Sequence, residues 1–247
     1  MYMRNIKMTL EYDGSRYKGY QKQADNELTV QGKIESVLSK MAGKLVEVSG
    51  CERTDVGVHA ENYMANFHTD CDLDIEAMLD YLHEFLPRDI VAKSMEEASE
   101  KFHAAYNIKS KTYVYKINNN KLRNVFNRKY VYHSETKLNL EEMKTAAEYL
   151  VGCHDFQGFA TVTDSTKLTN ETINYINIVE INGMIEIEIN ANDFLWNMAR
   201  IVTASLLDVG EGKLNVDDIE TLLTEKTESK YTLMAKTKGL ALRRVEY

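Results

Sequence analysis

The segment Gly50-Cys51-Glu52-Arg53-Thr54-Asp55-Val56-Gly57-Val58-His59-Ala60 gathers a guanidinium, a carboxylate and an imidazole into seven residues, Arg53 to His59. Gly57 permits a sharp backbone turn. A loop of this kind on a rigid frame can present Asp55 to a ligand as a base or nucleophile. The same residues also suit a plain turn, in which Asp55 bonds nearby amides and pairs with Arg53. Arg200 is the second unusual residue. It interrupts the otherwise uncharged 14-residue run Phe194–Leu207, where a helix would be largely buried. A guanidinium there needs a carboxylate or phosphate partner, because a buried, unpaired charge costs several kcal/mol. An ion pair with Asp55 would serve equally a structural role and a catalytic one.

Other constellations are weaker. Cys51 has no identifiable base beside it and reads as a small packed residue. Glu52 and Asp55 lie three apart in a loop, which is poor support for glycosidase-like acid/base chemistry. The six histidines, His68 with Cys71 included, show no zinc spacing, so no metal is expected. Neither a phosphate-binding lysine loop nor a dinucleotide glycine fingerprint occurs.

Charge is distributed unevenly. Residues 1–100 carry 11 Lys+Arg against 19 Asp+Glu, and residues 101–247 carry 19 of each, which together give the net −8. Within Lys101–Tyr130 there are eight basic residues, including Lys109, Lys111, Arg123 and Arg128, and no acid. Phe102, Tyr106, Tyr113, Tyr115, Phe126 and Tyr130 lie among them. Cations neutralise phosphates and aromatic faces stack on unpaired bases, a mixture suited to single-stranded or looped RNA. A solvated strand pair with cross-strand tyrosines fits the composition equally well. Asp70–Glu100 holds ten acids and two bases, a face suited to point away from any polyanion.

The elements that must position these residues follow from periodicity. Alternation predicts strands at 4–12, 43–49 and 61–69, and 3.6-residue spacing predicts helices over Thr29–Met41 and Ile75–Phe85. A strand at Ile90–Glu96 would close a βαββαβ-like unit. The second half reads as strands at Ser110–Asn118 and Arg128–His133, a helix at Leu140–Val151, and strands at Thr172–Ile181 and Met184–Ala191. Asn182-Gly183 marks a two-residue hairpin. Helices at Phe194–Val209 and Val216–Leu223 and a last strand at Leu240–Glu246 complete the chain. The expected class is α+β, as two halves, 1–104 and 105–247.

With 44% hydrophobic and 28% charged residues, disorder, collagen-like repeats and a cystine framework are excluded. Three scattered cysteines suit a reducing compartment. The start of the chain lacks a signal-peptide pattern and its most apolar run is too short to span a bilayer. A cytoplasmic protein with no membrane association is expected.

Gly50–Ala60 resembles the catalytic signature of TruA-type tRNA pseudouridine synthases, and other segments resemble that family in the same order. These are Tyr12-Asp13-Gly14-Ser15-Arg16-Tyr17-Lys18-Gly19-Tyr20-Gln21, Thr29-Val30-Gln31-Gly32, Phe102-His103-Ala104 and Lys111-Thr112-Tyr113-Val114-Tyr115. His154-Asp155-Phe156, Phe194–Val202 and Gly239-Leu240-Ala241-Leu242 continue the series. The resemblance implies a pseudouridine synthase fold, two α/β subdomains sharing a mixed, mostly antiparallel sheet with the active-site cleft between them. It implies a homodimer that acts on tRNA without any cofactor, at positions 38–40 of the anticodon stem-loop. A divergent paralogue acting on another structured RNA such as ribosomal RNA, or an inert RNA-binding protein of the same fold, is the alternative.

By the same resemblance, Asp55 attacks C1′ or abstracts the C2′ proton of a flipped uridine, Arg200 orients that carboxylate and Tyr113 stacks on the detached base. Arg53, Arg16, Lys18, Tyr20, Gln21, His59, Lys109, Lys111 and Leu240 are implied RNA or substrate contacts. The chain departs from the family pattern at Tyr20, Glu52, Ala105, Glu171 and Ala199. Glu52, Ala105 and Glu171 make the expected RNA-facing surface more acidic.

Overall fold

The computed structural model describes residues 3–24, 28–162, 168–225 and 234–247. The chain divides into two compact units, Met1–Lys109 with Ala241–Tyr247, and Ser110–Leu240.

In the first unit β1 (Arg4–Tyr12), α1 (Val30–Ala42), β2 (Val48–Gly50), β3 (His59–Thr69), α2 (Ile75–Phe85) and β4 (Ile90–Ala98) follow one another, giving the expected βαββαβ order. Strand β1 runs antiparallel between β3 and β4, and β2 pairs with β3. Alternation puts Ile6, Met8 and Leu10 of β1 with Tyr63, Ala65 and Phe67 of β3 in the core, all at most 1% exposed. Helices α1 and α2 add Ile34, Leu38, Met78 and Leu82, all fully buried. The opposite face of the sheet is held by amides. Asn66 donates to Asn5 Oδ1 at 2.8 Å and accepts from the Ala104 amide at 2.8 Å, while Asn5 donates to the Ser99 and Phe102 carbonyls.

The second unit contains β5 (Ser110–Asn118), β6 (Tyr132–His133), α3 (Leu140–Leu150), β7 (Gly152–Asp155), β8 (Asn170–Ile181), β9 (Met184–Ala191), α4 (Met198–Gly210) and α5 (Val216–Glu225). Its strands lie in the order β5-β9-β8-β7, all antiparallel, with β6 parallel to the end of β5. Asn182 and Gly183 have φ of 54° and 75°, the paired positive values of a tight hairpin turn. Helix α3 packs on β8, α4 and α5, burying Met143, Ala146 and Leu150 with Val202, Leu206 and Ile219. Strand β10 (Leu240–Glu246) then runs beside β3 in the first unit, pairing Ala241 with His59 and Leu242 with Ala60 in parallel. Both units are thus α+β with mixed, mostly antiparallel pairing, as expected. Among the described residues no helix is long and apolar enough to cross a membrane.

Three expectations are corrected and one strand was not foreseen. The strand at 43–49 is confined to Val48–Gly50, because Gly43 ends α1 in the left-handed conformation and the Val46 amide is taken by the Ser39 hydroxyl. Only Tyr132 and His133 remain of the strand at 128–133. Asn124 Oδ1 accepts from the Phe126 and Asn127 amides and turns the chain instead. Helix α4 begins at Met198 rather than Phe194, since Asn197 sits at φ 63°. Strand β7 had no alternating pattern to announce it.

Candidate active site

Asp55 opens a turn closed by the bond from the Val58 amide to the Asp55 carbonyl, 3.1 Å. Gly57 takes φ 81°, a value that L side chains rarely adopt. The loop lies on the Asp13–Tyr20 segment. The Tyr20 amide bonds the Thr54 carbonyl at 3.1 Å, and the Tyr12 and Thr54 hydroxyls are 2.7 Å apart. Gly14 passes so close beneath the loop that a Cβ there would stand 1.9 Å from the Val58 carbonyl oxygen. Asp55 and Glu52 are half-buried and Arg53 is exposed, so the loop presents its charged groups outward from a packed base.

That base is a block of three tyrosines. Tyr20 stacks on Tyr63 with centroids 4.3 Å apart, and Tyr12 lies 5.6 Å from Tyr63. Burial pushes all three phenols up from their ordinary pKa, so all three stay neutral. The Tyr63 hydroxyl donates to the Glu52 carbonyl and accepts from the Glu52 amide at 3.3 Å, gripping one residue of the loop at both backbone polar groups. Tyr63→Phe leaves those groups unsatisfied. We expect it to lower the free energy of unfolding by about 1–3 kcal/mol, read by chemical denaturation; unchanged stability would show that the clamp contributes nothing.

Of the other first-unit residues expected to act at the site, His59 lies at the end of the loop and Arg16, Lys18, Tyr20 and Gln21 on the segment beneath it. His59, 6% exposed, accepts the Gly14 amide at Nδ1 (3.1 Å) and lies 3.3 Å from Asp13 Oδ1. Tyr20 is buried, whereas Arg16, Lys18 and Gln21 are exposed. Arg16 pairs with Asp89 at 2.5 Å, and Asp89 also accepts from the Tyr17 hydroxyl, whose pKa burial pushes up to about 12. Lys109 is tied to the chain end, its Nζ donating to the Tyr247 carbonyl at 2.8 Å.

In the second unit Tyr113 stands on β5 opposite Ile189, its ring meeting Phe194 edge-on at 5.0 Å and 84°. Tyr115 shares its face of the strand, two residues on. Burial raises the Tyr115 phenol pKa, and the positive charge of Arg200 draws it down. Arg200 occupies the first turn of α4. Its Nε donates to the Ala235 carbonyl at 3.1 Å and a terminal nitrogen to Asn197 Oδ1 at 3.0 Å. Asn197 in turn donates to the Thr161 hydroxyl at 2.9 Å, so the guanidinium is held in one plane by a short chain of amides and hydroxyls. Lys111 is buried and bound to Asp193 at 2.6 Å, and Leu240 is buried at the start of β10.

Of the departures from the family pattern, Glu52 accepts the Arg53 amide and Ala105 is exposed. Glu171 accepts from the Asn192 side chain at 2.8 Å and burial raises its pKa. Sequence reasoning missed Tyr12, Tyr63 and Asn197 as positioning residues. The signal for the tyrosines was their placement at the flanks of the two glycine-bearing segments.

A pseudouridine synthase model described as "tRNA pseudouridine synthase" matches residues 8–107 and 146–247. The chain belongs to this family. Asp55 and Arg200 lie in the matched stretches and Tyr113 falls between them. A "tRNA pseudouridine synthase A 1" of Clostridium tetani is 58% identical over 99% of this chain and 100% of its own length. A "tRNA pseudouridine synthase A 2" of Bacillus cereus is 43% identical over the same shares. A "tRNA pseudouridine synthase A" of Clostridium acetobutylicum is 39% identical over 99% and 100%.

Proposed function

We propose that the protein isomerises uridine to pseudouridine in the anticodon stem-loop of tRNA, at positions 38–40, in the cytoplasm and as a homodimer. The observation that carries this reading is Asp55, half-buried at the head of a turn whose base is fixed by three buried tyrosines. Family membership and full-length relatives named for tRNA pseudouridine synthesis support it.

The reaction breaks the N1–C1′ bond, turns the base and joins C5 to C1′. A uridine stacked in RNA must first be flipped out, at a cost of about a few kcal/mol. Asp55 then supplies the negative group at the sugar, either by adding to C1′ or by taking the C2′ proton. Arg200, oriented by Asn197 and Ala235, holds that carboxylate ionised and in place. Tyr113 stacks on the detached uracil and keeps it in the pocket while it turns, its ring backed by Phe194. Arg53, Arg16, Lys18 and Gln21, exposed on the loop and the segment beneath it, bind the RNA backbone. Tyr20 and His59 act from below as positioning residues, and Lys109, Lys111 and Leu240 shape the ends of β5 and β10.

Transfer RNA carrying 5-tritiated uridine tests the reading. Tritium is expected to be released to water with no free uracil formed, because an isomerase returns the base to the same sugar. Free uracil would identify a glycosidase. Release from ribosomal RNA alone would move the substrate to that RNA, and binding with no release from any RNA would identify an inert binder.

A further inference from the structure

The segment joining β5 to β6 carries an arrangement that the chemistry above does not use. Four of its large apolar side chains face solvent: Phe126 is 94% exposed and Leu122 79%, with Val125 and Tyr130 also exposed. Folding normally hides such groups, and a cluster of them in nine residues marks a contact surface. Lys121, Arg123, Arg128 and Lys129 stand among them, all exposed. No acid occurs anywhere from Lys101 to Tyr130; Arg123 finds its carboxylate in Glu135 at 2.5 Å.

The backbone under these side chains is fastened by asparagines. Asn118, 3% exposed, donates to the Leu122 carbonyl at 3.0 Å and accepts from the amide of Asn120 at 3.1 Å. Asn119 donates to the Thr136 carbonyl at 2.7 Å and accepts from the Leu138 amide at 3.0 Å. Asn124 caps the next turn, and the Tyr130 amide bonds the Asn127 carbonyl at 2.9 Å. The exposed ring therefore sits on an ordered support, and binding would not have to order the loop first. Beside it the surface dips into a depression lined by Asn118, Leu122, Val125, Phe126 and Met184. A second depression is rimmed by Arg123, Arg128, Lys129 and Lys238.

We propose that the 119–131 loop is a second RNA-binding site, in which Phe126 stacks on an unpaired base and Lys121, Arg128 and Lys129 hold the flanking phosphates. This rests on the reading that the substrate is RNA. The excess of cations with no carboxylate among the loop's own residues selects a polyanion, and a flat, exposed aromatic ring selects a base face. The loop leaves β5 at Asn118, five residues beyond Tyr113 and so about 16 Å along the strand. It therefore grips a part of the RNA other than the base held by Tyr113, and its loss weakens binding without disabling chemistry.

Two variants test the site, Phe126→Ala and the double variant Lys121→Gln/Arg128→Gln; all three side chains are exposed, and the loop loses only the bond of Arg128 to the Val125 carbonyl. Filter binding to unmodified tRNA, tritium release and sedimentation are measured together. Phe126→Ala is expected to weaken RNA binding and raise KM about 5- to 150-fold with kcat unchanged. The double variant is expected to make the slope of log affinity against log salt shallower by about 1.4. Wild-type affinity and salt slope in both variants, with wild-type turnover, would overturn the loop site and leave the synthase reading intact. Weakened RNA binding by the variants of a protein that releases no tritium would retain the site and reject the synthase. Conversion of a dimer to a monomer at unchanged RNA affinity per protomer would overturn the proposal in favour of a second copy of the chain.

Discussion

Asp55→Asn is expected to lower turnover by at least about 10⁴-fold, the scale on which removal of a nucleophile or its base acts, while tRNA affinity stays within about threefold. The substitution keeps size and shape and removes the negative charge, so it separates chemistry from architecture. The closing bond of the turn uses the Asp55 backbone carbonyl, and the Tyr12, Tyr20 and Tyr63 contacts reach Thr54 and Glu52. The phosphate contacts proposed for Arg53, Arg16 and Lys18 rest on exposed cations, which the substitution leaves in place. Single-turnover tritium release and equilibrium binding measure the two effects. A loss of binding as large as the loss of turnover would make Asp55 a structural residue.

Arg200→Ala is the second large effect. The guanidinium donates to Ala235 and Asn197, so truncation leaves a buried carbonyl and an amide oxygen without their donor and costs about 1–3 kcal/mol of stability. In the proposed mechanism its loss also removes the cation assigned to steadying Asp55, and kcat is then expected to fall about 10²- to 10³-fold, the effect of deleting one preorganised electrostatic partner. KM should move little, since the proposed role is on Asp55 rather than on the RNA. Arg200→Lys restores the charge but cannot reproduce the planar fork that reaches both acceptors; it should regain part of the stability and little of the rate. A variant with lowered stability but wild-type kcat would confine Arg200 to folding.

Elements with long, clean periodicity were legible in the sequence. Strands β1, β5, β9 and β10 and helix α2 have the bounds that alternation or 3.6-residue spacing gave them. Two of the misread segments share one cause, a side chain bonding nearby backbone: Ser39 at Val46, and Asn124 at Phe126 and Asn127; α4 starts late because Asn197 takes a positive φ. Such bonds compete with strand and helix ladders and leave no periodic trace. At the site, the reactive loop was conspicuous because Arg53, Asp55, Gly57 and His59 are neighbours in sequence. Its support was not. Tyr12 and Tyr20 lie at the two ends of one segment and Tyr63 in another, and only folding brings their rings together. Burial of Lys111 against Asp193 was equally hidden, since eight bases without an acid read as one solvated surface until β5 is seen to be covered.

Pseudouridine mapping on a tRNA transcript, by carbodiimide adduct formation and primer extension, tests the central claim most directly. Wild-type protein is expected to produce reverse-transcription stops at uridines of the anticodon stem-loop, and the Asp55→Asn protein none. A transcript that remains unmodified after incubation with active wild-type protein, or stops that persist with Asp55→Asn, would contradict it.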